Sequence, residues 1–545
     1  MKTQLRIIIL CMLVITLFTS CNKNPESPFK LTGSIEGLSD GQLILTEPGS
    51  PDIDQGIKIN IVDGKFTYTG DYPEATEKII YITKDGNFLP GTGRPTIFLE
   101  NDKMSFKAHI DSFSDAEIIG GKAQKDHCRF KKLEQSYIDE FNRKHKFEEL
   151  TEKIYAENAS LKEREEWSSL IVKRSFGLED LSLKFIRENP LSFYSVILAE
   201  KLTFGKTPNS PGKGPEAIEK LLAMLNPKFD NSKIVSDFRD KIERLKTTEI
   251  GIENIIDANA VILSGDQKFK GKQHKGIIYL SVLKNDNICA LTKEGRILII
   301  NPSGKTISSF KNESKGSPKS IAVDTDNNIY VLSSLDTIKT FKNRGKTFTR
   351  NVYLGVSECN IYNVKGNKKR SFKIPGVDWV SGAKVVDDKL LIGDVLKGQI
   401  VIYNVTTGKP EPHSIEGLRC CCGILDFNVK GNTEVLVANI GAFRVQSYDL
   451  GGNKKFAFGQ KGRSINDFHA CCNPANVAYL SNGSIVTVEK DPVRVKVYGK
   501  EGAIQVTGLK ELKVNNCTYI PLVVDSKDNL YLASTDLGLF KCIKQ

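Results

Sequence analysis

The sequence predicts a mainly β chain with a helical middle section: an N-terminal β-sandwich, a helical segment and a C-terminal six-bladed β-propeller. Three observations predict it. Short alternating segments broken by Gly, Asp and Asn fill residues 28–121. Apolar residues then recur at three- and four-residue spacing over 122–250. From about residue 252 the chain repeats itself, with a period of roughly forty-five to fifty residues. At 545 residues the chain is too long for one core, and a composition of 40% hydrophobic and 26% charged residues supplies more than one.

Residues 1–21 read as a targeting segment and stand outside the fold. Lys2 and Arg6 form a positive start, and Ile7–Phe18 is an apolar run too short to span a bilayer comfortably. The run ends in LFTSC, with the small residues Thr19 and Ser20 just before Cys21. This stretch resembles a bacterial lipoprotein lipobox, with Phe18 where Leu is usual. The resemblance implies cleavage before Cys21 and lipidation of its thiol. An ordinary signal peptide, cut elsewhere, is the alternative. Residues 22–27 then form a tether. The expectation is a body in the cell envelope, outside the cytoplasm, held to a membrane (the outer membrane by preference) through an N-terminal lipid anchor.

The first folded segment, 28–121, reads as short strands: FKLTGSIEG, GQLILTEPG, GIKINIVDGKFTYTG, KIIYITKDG and PTIFLENDKMSFKAHI. An all-β sandwich is the reading. The pattern resembles the uncharacterised N-terminal β domain common in Bacteroidetes lipoproteins. In such proteins a thioredoxin-like domain often follows. This chain contains no C-x-x-C, so the dithiol motif of that domain is missing. Residues 122–250 are instead helical, with a Gly, Pro and Ser-rich loop at 203–215.

The domain 251–545 carries six units of apolar strand, turn, strand, short loop, strand and Gly-containing turn. Their second and third strands read NICALTKEGRILIINPSG, NIYVLSSLDTIKTFKNRG, KLLIGDVLKGQIVIYNVTTG, EVLVANIGAFRVQSYDLGG, SIVTVEKDPVRVKVYGKEG and NLYLASTDLGLFKCIKQ. The stretches SPKSIAVDTDNNIYVLSS and NPANVAYLSNGSIVTVEKDPVRVKVYGKEG resemble NHL-type β-propeller repeats. The sixth unit stops after its third strand. Residues 257–269, DANAVILSGDQKF, precede the first full unit and are expected to supply the missing outer strand, which removes the open edge of the ring.

Five of the twelve cysteines lie in two short runs, RCCCG and HACCN. Twelve positions before the expected second strands at Glu434, Ser484 and Asn529 stand Cys422, Cys472 and Cys517. Thirteen before stand Cys421, Cys471 and Asn516. The same position in three consecutive blades should converge at one mouth of the central channel. Cys420 and His469 lie close by in sequence, and Asn439, Glu489 and Ser534 occupy matching strand ends. Three chemistries fit. Thiolates, with or without an imidazole, hold a soft metal such as copper or zinc, or an iron–sulfur cluster. An oxidising compartment permits disulfides, vicinal ones at Cys421–Cys422 or Cys471–Cys472 included. Reduced cysteines also serve as small apolar filler. The CC-x-P-x-N-V-A string is similar to cysteine-bearing NHL-type proteins of environmental bacteria, a similarity that implies no activity.

Other candidates are read as structural. Cys289 and Cys542 fall in strand interiors, and Cys128 and Cys359 are isolated. His274 opens the first blade as a distant further ligand. Arg444 and Arg494 are equivalent by a fifty-residue shift, and in NHL repeats such arginines brace neighbouring blades. The net charge of +12, which becomes +10 once Lys2 and Arg6 are removed, is scattered; KGNKKR at 365–370 is its densest run. No nucleic-acid partner is expected from that pattern. No H-E-x-x-H or P-loop is present, no hydrolase or phosphate-binding chemistry is assigned, and catalysis stays open. Some NHL-type propellers hold a catalytic metal through channel histidines; that set is missing here. Two functions remain: a metal-binding or redox-linked module at the propeller mouth, or a non-catalytic platform for a peptide, glycan or protein partner with disulfide-fixed loops.

Overall fold

A computed structural model describes residues 28–545 apart from 49–55, 86, 90–92, 157–158, 205–211, 247–250, 344–345, 470–471, 491 and 514–517. The chain divides into two compact units, residues 1–133 with 191–195, and residues 134–190 with 196–545. The helical section expected over 122–250 is therefore shared between the two.

The first unit is a β-sandwich. Phe29–Glu36 pairs with Lys65–Gly70 and Lys103–His109 in one sheet; Gly41–Thr46 pairs with Ile57–Ile61 and Thr76–Lys84 in the other. Alternation places Leu31, Phe66 and Phe106 of the first sheet against Leu43, Leu45 and Ile80 of the second in one buried core. The start of the helix Lys122–His145 caps this unit: Gln124 accepts from the Phe98 amide at 2.9 Å.

In the second unit the longest helix is Leu161–Glu188. Its start is written in S-L-K-E. Ser160 and Glu163 form a reciprocal capping box, with the Ser160 amide donating to Glu163 at 2.9 Å. Among the described residues no helix is long and apolar enough to cross a membrane.

The propeller follows. Each blade is a four-stranded antiparallel sheet whose first strand is innermost. These inner strands are Ile277–Val282, Ser317–Val323, Val380–Val386, Asp426–Lys430, Asn476–Tyr479 and Leu522–Val524, and neighbours pack against one another around the ring. A buried apolar cluster lies between each pair of successive blades. The cluster of Ile277, Leu280, Val523, Tyr531 and Leu539 joins the sixth blade back to the first. Leu263–Gly265 forms the sixth blade's outer strand, antiparallel to Gly538–Lys544. The expected closure strand is thus in place.

The turns between first and second strands are latched across blades. Asp286, Asn327 and Asp528 each sit at a φ near +60°, a conformation that Asp and Asn tolerate better than most residues. Asp286 accepts from the Ser526 amide and hydroxyl (2.9 and 2.7 Å), and Asp528 likewise from Ser481 (2.7 and 2.6 Å). Asn327 accepts from the Lys284 amide at 2.8 Å.

One blade departs from the sequence reading. IKTFK, read as a third strand, continues the second strand Ile329–Asn343; the third is Lys346–Tyr362, which pairs through Tyr362 with Ile329. The two strands extend as a long hairpin before returning to the blade.

Candidate functional site

The site is built from loops that enter the inner strands. At the ends of three second strands, Asn439, Glu489 and Ser534 each hold the loop leading into their own blade. Asn439 accepts from the Arg419 amide (2.9 Å), Glu489 accepts from the His469 amide (2.9 Å), and Ser534 donates to the Lys513 carbonyl (3.3 Å). The first two act at the same separation of twenty residues. These side chains are clamps rather than ligands.

From those anchored loops hang the cysteines. The Ile424 amide donates to the Cys421 carbonyl at 3.1 Å and closes a tight turn. Its central residues Cys422 and Gly423 have φ of 57° and 71°, the type I′ pattern. Glycine is required at 423 twice over, since a Cβ would also stand 2.5 Å from the Trp379 ring. On the next blade the buried Asn473 donates to the carbonyls of His469 (2.9 Å) and Lys490 (3.0 Å) and accepts from the Lys490 amide (2.9 Å). Cys472 is buried beside it.

The two loops meet. Cys421 and Cys472 form a disulfide between the fourth and fifth blades, with Cα atoms 6.3 Å apart. Cys422 Sγ lies 3.6 Å from Cys421 Sγ and 4.0 Å from Cys472 Sγ. Lys490, almost fully buried, points its ammonium at Cys422 Sγ from 3.7 Å. The bond runs between blades, so a vicinal Cys421–Cys422 ring is not formed. The sulfurs of Cys421, Cys422 and Cys472 lie within 4.8 Å of one another.

Other expected ligands are placed elsewhere or outside description. Cys471, Cys517 and the lipidation residue Cys21 lie outside the described residues. Cys420 faces the packing between the third and fourth blades, where burial and then the charge of Asp394 push its thiol up to about 12. His469 turns away: its ring meets Phe176 of the long helix edge-on at 6.0 Å. Burial, then the nearby Arg494 charge, lowers its pKa. His274 bonds the Gly304 carbonyl at 2.8 Å and joins no thiol group. Cys289, Cys359 and Cys542 are core residues, and burial pushes each thiol up. Cys128 is exposed.

The two arginines brace, but not blade against blade. Arg494 donates to the Asp467 carbonyl (2.9 Å) and to Glu489 (2.7 Å), fixing the loop before the cysteines. Arg444 donates to the Lys213 carbonyl at 2.5 Å, and Lys213 in turn pairs with Glu179 at 2.7 Å on the long helix. Arg463 extends the contact by pairing with Asp180 at 2.7 Å. The helical section thus lies against the fourth and fifth blades on the loop side that carries the cysteines.

A second polar group escaped the sequence reading. Tyr279, Ser320, Asp426 and Asn476 each lie three residues before Val282, Val323, Val429 and Tyr479, the inner-strand positions paired with Ile288, Ile329, Val435 and Ile485. Four blades thus aim polar side chains inward at one register. Tyr279 donates to Asp426 Oδ1 at 2.6 Å, and Tyr519 to its other oxygen. Asn476 donates to the Tyr519 hydroxyl at 2.8 Å, and the two tyrosine rings stack at 5.8 Å. Burial raises both phenols well above their ordinary range. Tyr519 also packs on the cluster containing Cys472 and Ile440. Alignment of inner strands rather than second strands would have exposed this register.

Residues 29–127 match DUF4369, a domain of unknown function. No curated protein matches the chain. Solved structures with similarity include the Pan2 WD40 domain of Neurospora crassa, at 12% identity over 49% of this chain and 74% of that one, with a TM-score of 0.31. A catalytically inactive virginiamycin B lyase from Staphylococcus aureus, solved with quinupristin, is 10% identical over 52% of this chain and 99% of its own, with a TM-score of 0.35. The RRP9 WD40 repeats are 11% identical over 53% and 99%, also at 0.35.

Proposed function

We propose that the protein is a cell-envelope lipoprotein, anchored through Cys21, whose NHL-like propeller carries a redox-linked thiol centre that takes a soft metal ion when reduced. The sequence supports the anchor through LFTSC. The meeting of Cys421, Cys422 and Cys472 within 4.8 Å carries the rest. A dithiol reductant would give two electrons and two protons to the Cys421–Cys472 bond and leave as a disulfide. Metal binding then displaces the thiol protons. Around a tetrahedral zinc with Zn–S near 2.3 Å, sulfurs stand about 3.8 Å apart. The separations of 3.6 and 4.0 Å already match that spacing. The Lys490 ammonium favours anionic sulfur at Cys422. By register, Cys471 and Cys517 are the next ligands. Copper(I) suits the same donors, and an iron–sulfur cluster would need four of them.

The bond itself favours a second reading, in which Cys421–Cys472 permanently fixes two loops of a platform for a peptide, glycan or protein partner. One experiment separates the readings: elemental analysis with thiol titration on protein starting at Asn22, prepared without chelator, before and after reduction. The thiol-centre reading expects about one equivalent of zinc or copper in the reduced protein, lost in Cys472→Ser. Reduced protein that takes up no metal leaves the platform reading.

A further inference from the structure

We infer that the channel mouth opposite the cysteines is a binding site for a small amphipathic carboxylate, with Lys384 as its anchor. This site is independent of the thiol centre. Residues from all six inner strands and their turns line a cavity of about 490 Å³, a size typical of small-molecule sites. Its wall is a ring of aliphatic side chains, among them Val282, Val323, Val429 and Val523. Lys384 from the third blade lines the same cavity, and its ammonium lies 5.4 Å from the centre of the Tyr279 ring.

The charge of Lys384 is met only by the face of the Tyr279 ring and by the field of Asp426. Among the described residues its ammonium has no hydrogen-bond acceptor and no ion-pair partner. Asp426 is the opposing charge that acts on it, and its two oxygens already accept from the hydroxyls of Tyr279 and Tyr519. Burial lowers the pKa of Lys384, with Asp426 offsetting only part of that effect. A half-buried ammonium without a partner is costly unless an anion meets it. The rim carboxylates do not serve. Asp525 accepts from the amides of Lys527 and Asn529 (3.0 and 2.9 Å), and Asp528 pairs with Lys544 at 2.9 Å. Lys430 at the rim lies over the Tyr479 ring at 5.0 Å and adds a second positive charge. A cationic floor within an apolar wall selects a ligand with one anionic end and an apolar body. A carboxylate meets both requirements.

Titration calorimetry on the whole protein tests this with acetate, octanoate, 3-phenylpropionate and 3-phenylpropionamide as probes. The longer acids should bind about tenfold or more tighter than the amide and acetate, the scale of one charge-assisted contact and one buried apolar group. Lys384→Met should remove that preference and Lys384→Arg should keep it. Where Lys384→Met does not fold, the acid–amide comparison still decides. Protection of Lys384 from reductive methylation by bound 3-phenylpropionate, read by mass spectrometry, locates the site. Equal binding of acid and amide, no binding of any acid at millimolar concentration, or unprotected Lys384 would each overturn the assignment.

Discussion

At the scale of single residues, buried Glu489 organises the approach to the thiol centre. One of its oxygens accepts from the His469 amide and from Arg494 at 2.7 Å, and the other forms an ion pair with Lys496 at 2.9 Å. Lys496 also donates to the carbonyls of Ile465 and Asp467 (3.0 and 2.8 Å) and is fully buried. Burial is the largest influence on Lys496 and brings its pKa down to about 8 despite the Glu489 charge. In the unfolded chain a lysine titrates near 10.4, about the ordinary value. Above pH 8 the native state has released a proton that the unfolded state still binds. Folding stability contributed by Lys496 therefore rises with pH between those two values, and at neutral pH the buried charge is a burden. Urea unfolding of the protein and of Lys496→Met at pH 7.5 and 9.5 checks this. The parent should gain on the variant at the higher pH. A difference that stays flat would mean the ammonium keeps its proton throughout. Glu489 was legible as a matched strand end, but Lys490 and Lys496 were not. Each is one lysine among many in sequence, and only burial marks them out.

At the scale of elements, the disulfide staples the loop entering the fourth blade to the loop entering the fifth. It closes a stretch of fifty-one residues. Constraint of the unfolded chain over such a loop is worth about 4 kcal/mol in the chain-entropy account. Cys472→Ser should therefore melt several degrees lower than the parent under oxidising conditions, and the two should converge in strong reductant. Scanning calorimetry with and without reductant measures this; a variant as stable as the parent under oxidising conditions would show that the staple contributes nothing. The convergence of these loops was legible because a repeat fixes equivalent positions in space, so Cys422 and Cys472 had to approach. Which sulfur bonds which was not legible, because it depends on the turn at Cys422–Gly423 and on Trp379 beneath it. Cys420, next to Cys421 in the chain, packs instead between the third and fourth blades. The third strand of the second blade was misread because IKTFK has strand composition and sits at the usual offset. The larger gap before the next repeat, from Asn328 to Lys389, was the signal of an inserted hairpin.

At the scale of the whole molecule, six blades were legible because each repeats one pattern of strand, Asp/Asn turn and strand. The channel was not, because its polar side chains differ from blade to blade. Tyr279, Ser320, Asp426 and Asn476 share a register but no chemistry, so only closure of the ring brings them together. That closure depends on a short strand from before the first blade. Leu263 is buried in the cluster between the fifth and sixth blades, beside Cys542 and Phe540. Its strand pairs Leu263 with Lys544 and Gly265 with Cys542, and the Asp266 amide donates to the Lys541 carbonyl at 2.8 Å. A charge at 263 would have to leave that core, taking the strand with it and exposing the edge of Gly538–Lys544. Leu263→Asp should cost about 3 kcal/mol or more, in the range of severe core substitutions. Hydrogen exchange gives the sharper measurement. Amides of the sixth blade's third strand that face Leu263–Gly265 should lose protection, while those paired with Leu530–Ser534 keep more of it. Equal loss in all six blades would mean that the ring opens as a single cooperative body and that its seam is no weaker than any other junction. Unchanged protection would show that the seam holds without this strand.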